Sequence, residues 1–136
     1  MSKMTGGCLC GDVRYEYQGE VGSAGICHCS DCRRISGSAF GVSVKLAKAG
    51  FAILSGALSG YTKRADSGRE LTRYFCSRCG SPIYTASAAH PDFVYVKAGS
   101  LDDPALVRPA YQAWTQSAVA WAHIPSDLPA FEKGRT

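Results

Sequence analysis

Apolar and polar residues alternate along most of the patterned segments of this chain. Val13-Arg14-Tyr15-Glu16-Tyr17 places a valine and two tyrosines on one phase and charged residues on the other, the period of a half-buried strand. Phe40 to Leu46, Phe51 to Leu54, Leu71 to Phe75, Pro82 to Thr85 and Phe93 to Lys97 are similar short runs, several of them bounded by Gly, Ser, Asp or Pro. Strands this short, at this spacing, predict a mainly β fold. Two short helices are also expected. One begins at Ser30 as N-cap and stops near Gly37; the other runs from about Asp102 to Val107, with Pro104 in its first turn. The tail from Glu132 to Thr136 is expected to be loose.

Composition changes this picture little. The 136 residues match the usual size of one domain, so a single domain over residues 1–136 is expected. Fifteen glycines and six prolines fit frequent tight turns. The net charge of +4 permits an anionic ligand without calling for nucleic acid, since the basic clusters are as short as Arg33-Arg34 and Lys63-Arg64. No stretch approaches the roughly 20 apolar residues that span a bilayer. Met1 to Gly7 has no apolar signal-like core, which leads us to expect a cytoplasmic protein.

The cysteines change the picture most. A reducing compartment favours metal ligands or catalysts over disulfides, and a set of seven would leave one unpaired. They form a C-x-C hook (Cys8, Cys10), a C-x-C-x2-C triplet (Cys27, Cys29, Cys32) and a C-x2-C knuckle (Cys76, Cys79) followed by Gly80. Hook and knuckle together supply four thiolates for a closed, structural zinc site that staples the first strand to the middle of the chain. The triplet leaves a fourth position open, as catalytic sites do. Cys32, near the start of the expected helix, is the thiol whose pKa the helix N-terminus would lower. Other readings of the triplet stay open: closure by His28, an iron–sulfur cluster with one open iron, or three metal-free thiols.

Three motifs carry a family resemblance. Gly6-Gly7-Cys8-Leu9-Cys10-Gly11-Asp12-Val13-Arg14-Tyr15 resembles the opening of the glutathione-dependent formaldehyde-activating enzymes, a family that includes centromere protein V. Cys27-His28-Cys29-Ser30-Asp31-Cys32-Arg33-Arg34, followed by Ser36 to Gly41, is similar to the family's second motif, and Arg73 to Ser81 to its third. The resemblance spans about residues 5–125. It implies a β-tent of small antiparallel sheets, with a structural zinc on Cys8, Cys10, Cys76 and Cys79 and a catalytic zinc on Cys27, Cys29 and Cys32. It also implies addition of glutathione to formaldehyde, formally a carbon–sulfur lyase reaction. The small-molecule partner is then a thiol, and glutathione is the expected co-substrate.

An open three-thiolate zinc suits that chemistry, because it can hold a further thiolate. The carboxylates of glutathione point to Arg33, Arg34 and Arg73 as binding residues. His28, Ser36, Ser38 and Tyr84 are candidate proton donors. Trp114 and Trp121 are expected to pack in the core, in a segment from Ala113 to Ile124 that resembles the family's C-terminal strand. The alternatives to an enzyme are a zinc-stabilised binding or chaperone-like module and a DNA-associating protein. A methionine sulfoxide reductase would need two C-x2-C pairs and a separate catalytic cysteine, which the hooks do not leave.

Overall fold

The structure, a computed structural model, describes residues 2–134. Ten strands and one α-helix follow in the order β1 (Ser2–Gly7), β2 (Arg14–Gly19), β3 (Val21–Cys27), α1 (Ser30–Ser36), β4 (Gly41–Ala47), β5 (Phe51–Ser55), β6 (Leu58–Arg64), β7 (Glu70–Cys76), β8 (Pro82–Ser87), β9 (Phe93–Lys97) and β10 (Pro109–Ala113). The mainly β expectation holds, and the strands form two sheets. The smaller has the order β1-β2-β5; the larger has the order β10-β3-β4-β9-β8-β7-β6. Every pairing is antiparallel except that of β10 with β3, which is parallel.

Alternation along the strands builds the core. Val13, Tyr15 and Tyr17 are fully buried while Arg14 and Glu16 point the other way. They pack with Met4 against Ala24, Val44, Leu46, Val94, Val96 and Ile83 of the large sheet. The buried phenols are satisfied: Tyr15 Oη lies 2.6 Å from Ser100 Oγ, and Tyr17 Oη donates to the Glu20 carbonyl at 2.5 Å. Close to this core, Gly6 faces the Tyr15 ring, and a Cβ built there would lie 2.5 Å from the Ser100 carbonyl oxygen. Gly6→Ala is therefore expected to cost about 1–3 kcal/mol through overpacking. Thermal unfolding checks this, and an unchanged midpoint would show that β1 can shift freely.

The other face of the large sheet is what positions the site. Directly paired residues share a face. One row on this face, Tyr61–Arg73–Thr85–Tyr95–Lys45, crosses β6, β7, β8, β9 and β4. Ser43 and Lys97 form the next pair along. In a flat sheet β6 would stand about 19 Å from β4. Yet Lys63 of β6 bonds Asp31 of α1 at 2.7 Å, and α1 leads directly into β4. The sheet thus curls, with this polar face on the inside and α1 across its opening.

Four strands have no counterpart among the sequence-based expectations: β1, β3, β6 and β10. The second expected helix is instead a single 3-10 turn, Pro104–Leu106, capped by the Asp103 side chain. The first helix stands where expected and ends at Gly37, but its N-cap is Cys29 rather than Ser30. The C-terminal strand is Pro109–Ala113, not the segment from Ala113 to Ile124, because Trp114 turns the chain with φ 57°. Trp121 is 71% exposed and Trp114 half-buried, so neither forms core. Residues 132–134 are docked rather than loose: Trp114 N–H donates to the Lys133 carbonyl at 3.1 Å. The expectation for Arg135 and Thr136 falls outside the described residues. Among the described residues, no helix is long and apolar enough to cross a membrane.

Candidate metal centres

The hook and the knuckle meet. The sulfurs of Cys8, Cys10, Cys76 and Cys79 all lie within 4.8 Å of one another. Cys8 and Cys10 sulfurs are 3.5 Å apart, and those of Cys10 and Cys76 are 3.9 Å apart. A tetrahedral ion with metal–sulfur bonds of about 2.3 Å sets its ligands about 3.8 Å from one another, so the donor set fits one ion. Backbone amides orient the sulfurs. Val13 N–H donates to Cys8 Sγ, and the Arg78 and Cys79 amides donate to Cys76 Sγ, at 3.2, 3.3 and 3.4 Å. Gly80, with φ 82°, closes the knuckle as its sequence position predicts. Ser81 ties the two halves together: its hydroxyl accepts from Leu9 N–H at 3.0 Å and lies 3.1 Å from Cys79 Sγ. That hydroxyl, with neighbouring amides, holds the Cys79 thiol down at about 5.

The triplet forms the second cluster. Cys27, Cys29 and Cys32 sulfurs also lie within 4.8 Å of one another, and no other His, Cys, Asp or Glu among the described residues joins them. Cys27 ends β3, Cys29 caps α1, and Cys32 sits inside α1. Gly41, paired with Cys27, leaves room beside the Cys32 side chain. Without metal, one negative charge settles on Cys29. Hydrogen bonding from Cys27 and then Cys32 pulls its thiol down to about 2, with the Cys32 amide donating at 3.3 Å. Cys27 and Cys32 are both pushed up. The neighbouring sulfurs thus favour the Cys29 thiolate, with the helix-cap amides adding to them, and the expectation that Cys32 is lowered is reversed.

The remaining candidates separate clearly. His28 is buried and turned from the triplet sulfurs; its Nε2 lies 2.9 Å from Gln112 Oε1 and its ring edge meets Phe40. Ser36 Oγ donates to the carbonyls of Arg33 and Phe40 at the end of α1. Tyr84 stacks on Tyr74 and meets Phe51, on the core side of the large sheet. Ser38 is exposed. Arg33 and Arg34 lie in the last turn of α1, the first half-buried and the second exposed. Arg73 is 8% exposed on the inner face.

Lys97 is a residue of this region that the sequence does not mark. It lies on that same face with its Nζ donating to Ser43 Oγ at 3.3 Å. Burial pushes its pKa down, while the nearby triplet sulfurs, Cys32 first, push it up. A lysine on the polar phase of a strand carries no sequence signal of burial; only the curl of the sheet encloses it.

Fold and clusters together define a mainly β protein that gathers its seven cysteines into a set of four and a set of three, each able to hold a metal ion. The chain belongs to the glutathione-dependent formaldehyde-activating enzyme family, whose sequence model matches residues 3–117. None of the curated proteins matches it. Its fold is similar to the crystal structure of a Rhodobacter sphaeroides protein, with a TM-score of 0.59 and 20% identity, covering 93% of this chain and 99% of that one.

Proposed function

We propose that this chain is a single-domain cytoplasmic enzyme that joins glutathione to formaldehyde, a carbon–sulfur lyase in its reverse direction. The observation carrying this reading is the open triplet: three gathered thiols and no fourth protein ligand among the described residues, with the buried Arg73 and the half-buried Lys97 on the neighbouring sheet face. Zinc is the metal we assign to both clusters, since it favours all-sulfur tetrahedral sites. At Cys8, Cys10, Cys76 and Cys79 it would be structural. At Cys27, Cys29 and Cys32 it would supply a position that keeps a substrate thiol ionised near neutral pH.

The protein's own residues do the rest. The three cysteines set the direction from which the thiol enters, and the Cys32 amide steadies Cys29. Arg33, Arg34 and Arg73 are the cations available to the carboxylates of glutathione. In the reaction the substrate sulfur attacks the carbonyl carbon, one carbon–sulfur bond forms, and the carbonyl π pair moves to oxygen. The oxygen takes up one proton, balancing the proton lost by the thiol. Catalysis of this kind is largely positioning. A zinc-stabilised binding module is the competing reading; closure of the triplet by His28 would favour it, and the imidazole is engaged with Gln112 instead.

Exchange spectroscopy by NMR on formaldehyde and glutathione tests the reading, with the zinc-loaded protein and against the uncatalysed background. Exchange faster than background is expected. Exchange at the background rate, with two zinc ions per chain verified, would move the assignment to a different thiol or to the binding module.

A further inference from the structure

Two cations, Arg73 buried and Lys97 half-buried, lie on the inner face with no carboxylate to answer them. Arg73 is 8% exposed, and its side chain makes no ion pair or hydrogen bond with another described residue. Lys97 has a hydroxyl, that of Ser43, as its partner. The ion pairs among the described residues instead join Lys3 to Glu16, Arg14 to Asp102 and Lys63 to Asp31. A guanidinium largely screened from water and left without a counter-charge is unfavourable. Such an arrangement persists where something anionic completes it.

Three thiolates around a divalent ion carry a net charge of −1. Lys97, which faces those sulfurs, balances it. Arg73, one strand beyond β8, is left without a counter-charge among the described residues. β7 and β9 stand about 10 Å apart across β8, and, besides burial, the charge of Arg73 is near enough to push the Lys97 pKa down. Thr85, between them on β8, is buried as well. Arg34, by contrast, is exposed on α1, where water competes for a carboxylate.

We propose that Arg73 and Lys97 form a carboxylate subsite beneath the triplet: Arg73 takes the carboxylate, and Lys97, held by Ser43, positions it and offsets the charge of the three thiolates. The subsite selects thiols that carry a carboxylate several bonds from sulfur, as a thiol peptide does, over small neutral thiols. This rests on the thiol-substrate reading above, and it chooses among the arginines that reading leaves equivalent.

Calorimetric titration of the zinc-loaded full chain with S-methylglutathione, and with its dimethyl ester, tests the subsite. The capped sulfur cannot react, so binding is read apart from catalysis. The acid is expected to bind about 10- to 100-fold more tightly than the ester, the range of a charge-assisted hydrogen-bonded pair. Arg73→Met should remove that preference with both metals retained, Lys97→Met should weaken it, and Lys97→Arg should keep most of it. Equal binding of acid and ester by the parent, or no binding of the acid, overturns the subsite without any variant. A preference that survives in Arg73→Met, or in the neutral Arg73→Gln if the first variant does not fold, overturns it too. Intact acid preference in a protein that leaves formaldehyde exchange at background supports the subsite and sinks the catalytic reading alone.

Discussion

Replacing Cys76 with alanine should lower the unfolding temperature by about 10–15 °C, the shift that roughly 4 kcal/mol produces in a chain of this size. Three losses coincide at this one atom. Cys76 is fully buried within the core cluster, so its removal leaves a void. Its sulfur accepts two backbone amides, those of Arg78 and Cys79, which would lose their partner. Most of the effect should come from loss of the metal that the set would hold. The four ligands join residues 8–10 to 76–79, and a clip across so long a loop restricts the unfolded chain strongly. Thermal unfolding with and without a strong chelator measures each part. The parent should fall on chelation nearly to the level of the variant, and the variant should respond little. A chelator-insensitive parent would mean that the four-cysteine set does not hold the fold together.

Cys29→Ala should behave in the opposite way. Formaldehyde–glutathione exchange is expected to fall to the uncatalysed rate, a loss of about 100-fold or more in the catalysed component. The midpoint of unfolding should move by only a few degrees. The triplet occupies six consecutive residues, so metal there closes almost no loop; what stability suffers is mainly the helix cap, about 1 kcal/mol. Metal analysis should give one ion per chain instead of two. Full activity in a variant with one ion would show that the open set is not where the chemistry occurs. The pair of substitutions thus separates a cluster whose ligands are distant in sequence from one whose ligands are adjacent.

That difference also explains what the sequence made readable. Cysteine spacing names the groups and the hook–knuckle pairing, because each short motif gathers its own sulfurs regardless of the rest of the fold. Strong alternation reveals β2, β4, β5, β7, β8 and β9. The missed strands lack it for definable reasons. β1 and β3 are rich in Gly, Ser and small residues, chosen for close approach: Gly6 beneath the Tyr15 ring, Gly25 beneath the Tyr111 ring. β6 is an edge strand with a polar sequence, and β10 opens on a proline. The cap at Cys29 was hidden because a serine follows it, and serine is the commoner cap. Lys97 and the burial of Arg73 were illegible for a deeper reason. Polar residues on the outward phase of a strand ordinarily face water. Only the Asp31–Lys63 bond and the curl it records turn that phase into an interior.

The parallel pairing of β10 with β3 has a consequence for how the protein is made. Residues 8 to 79 contain every ligand of both clusters. The strand that ends in Cys27 nevertheless keeps one edge bare until β10 is synthesised, and β10 is in turn covered by the chain around Ala130 and Phe131. At about 5–20 residues per second, several seconds separate those events on the ribosome. A nascent chain can therefore clip its four-cysteine set early while the triplet still sits on an open sheet edge beside unprotected thiols. Metal bound during that interval would shield those thiols from oxidation before β10 covers the edge.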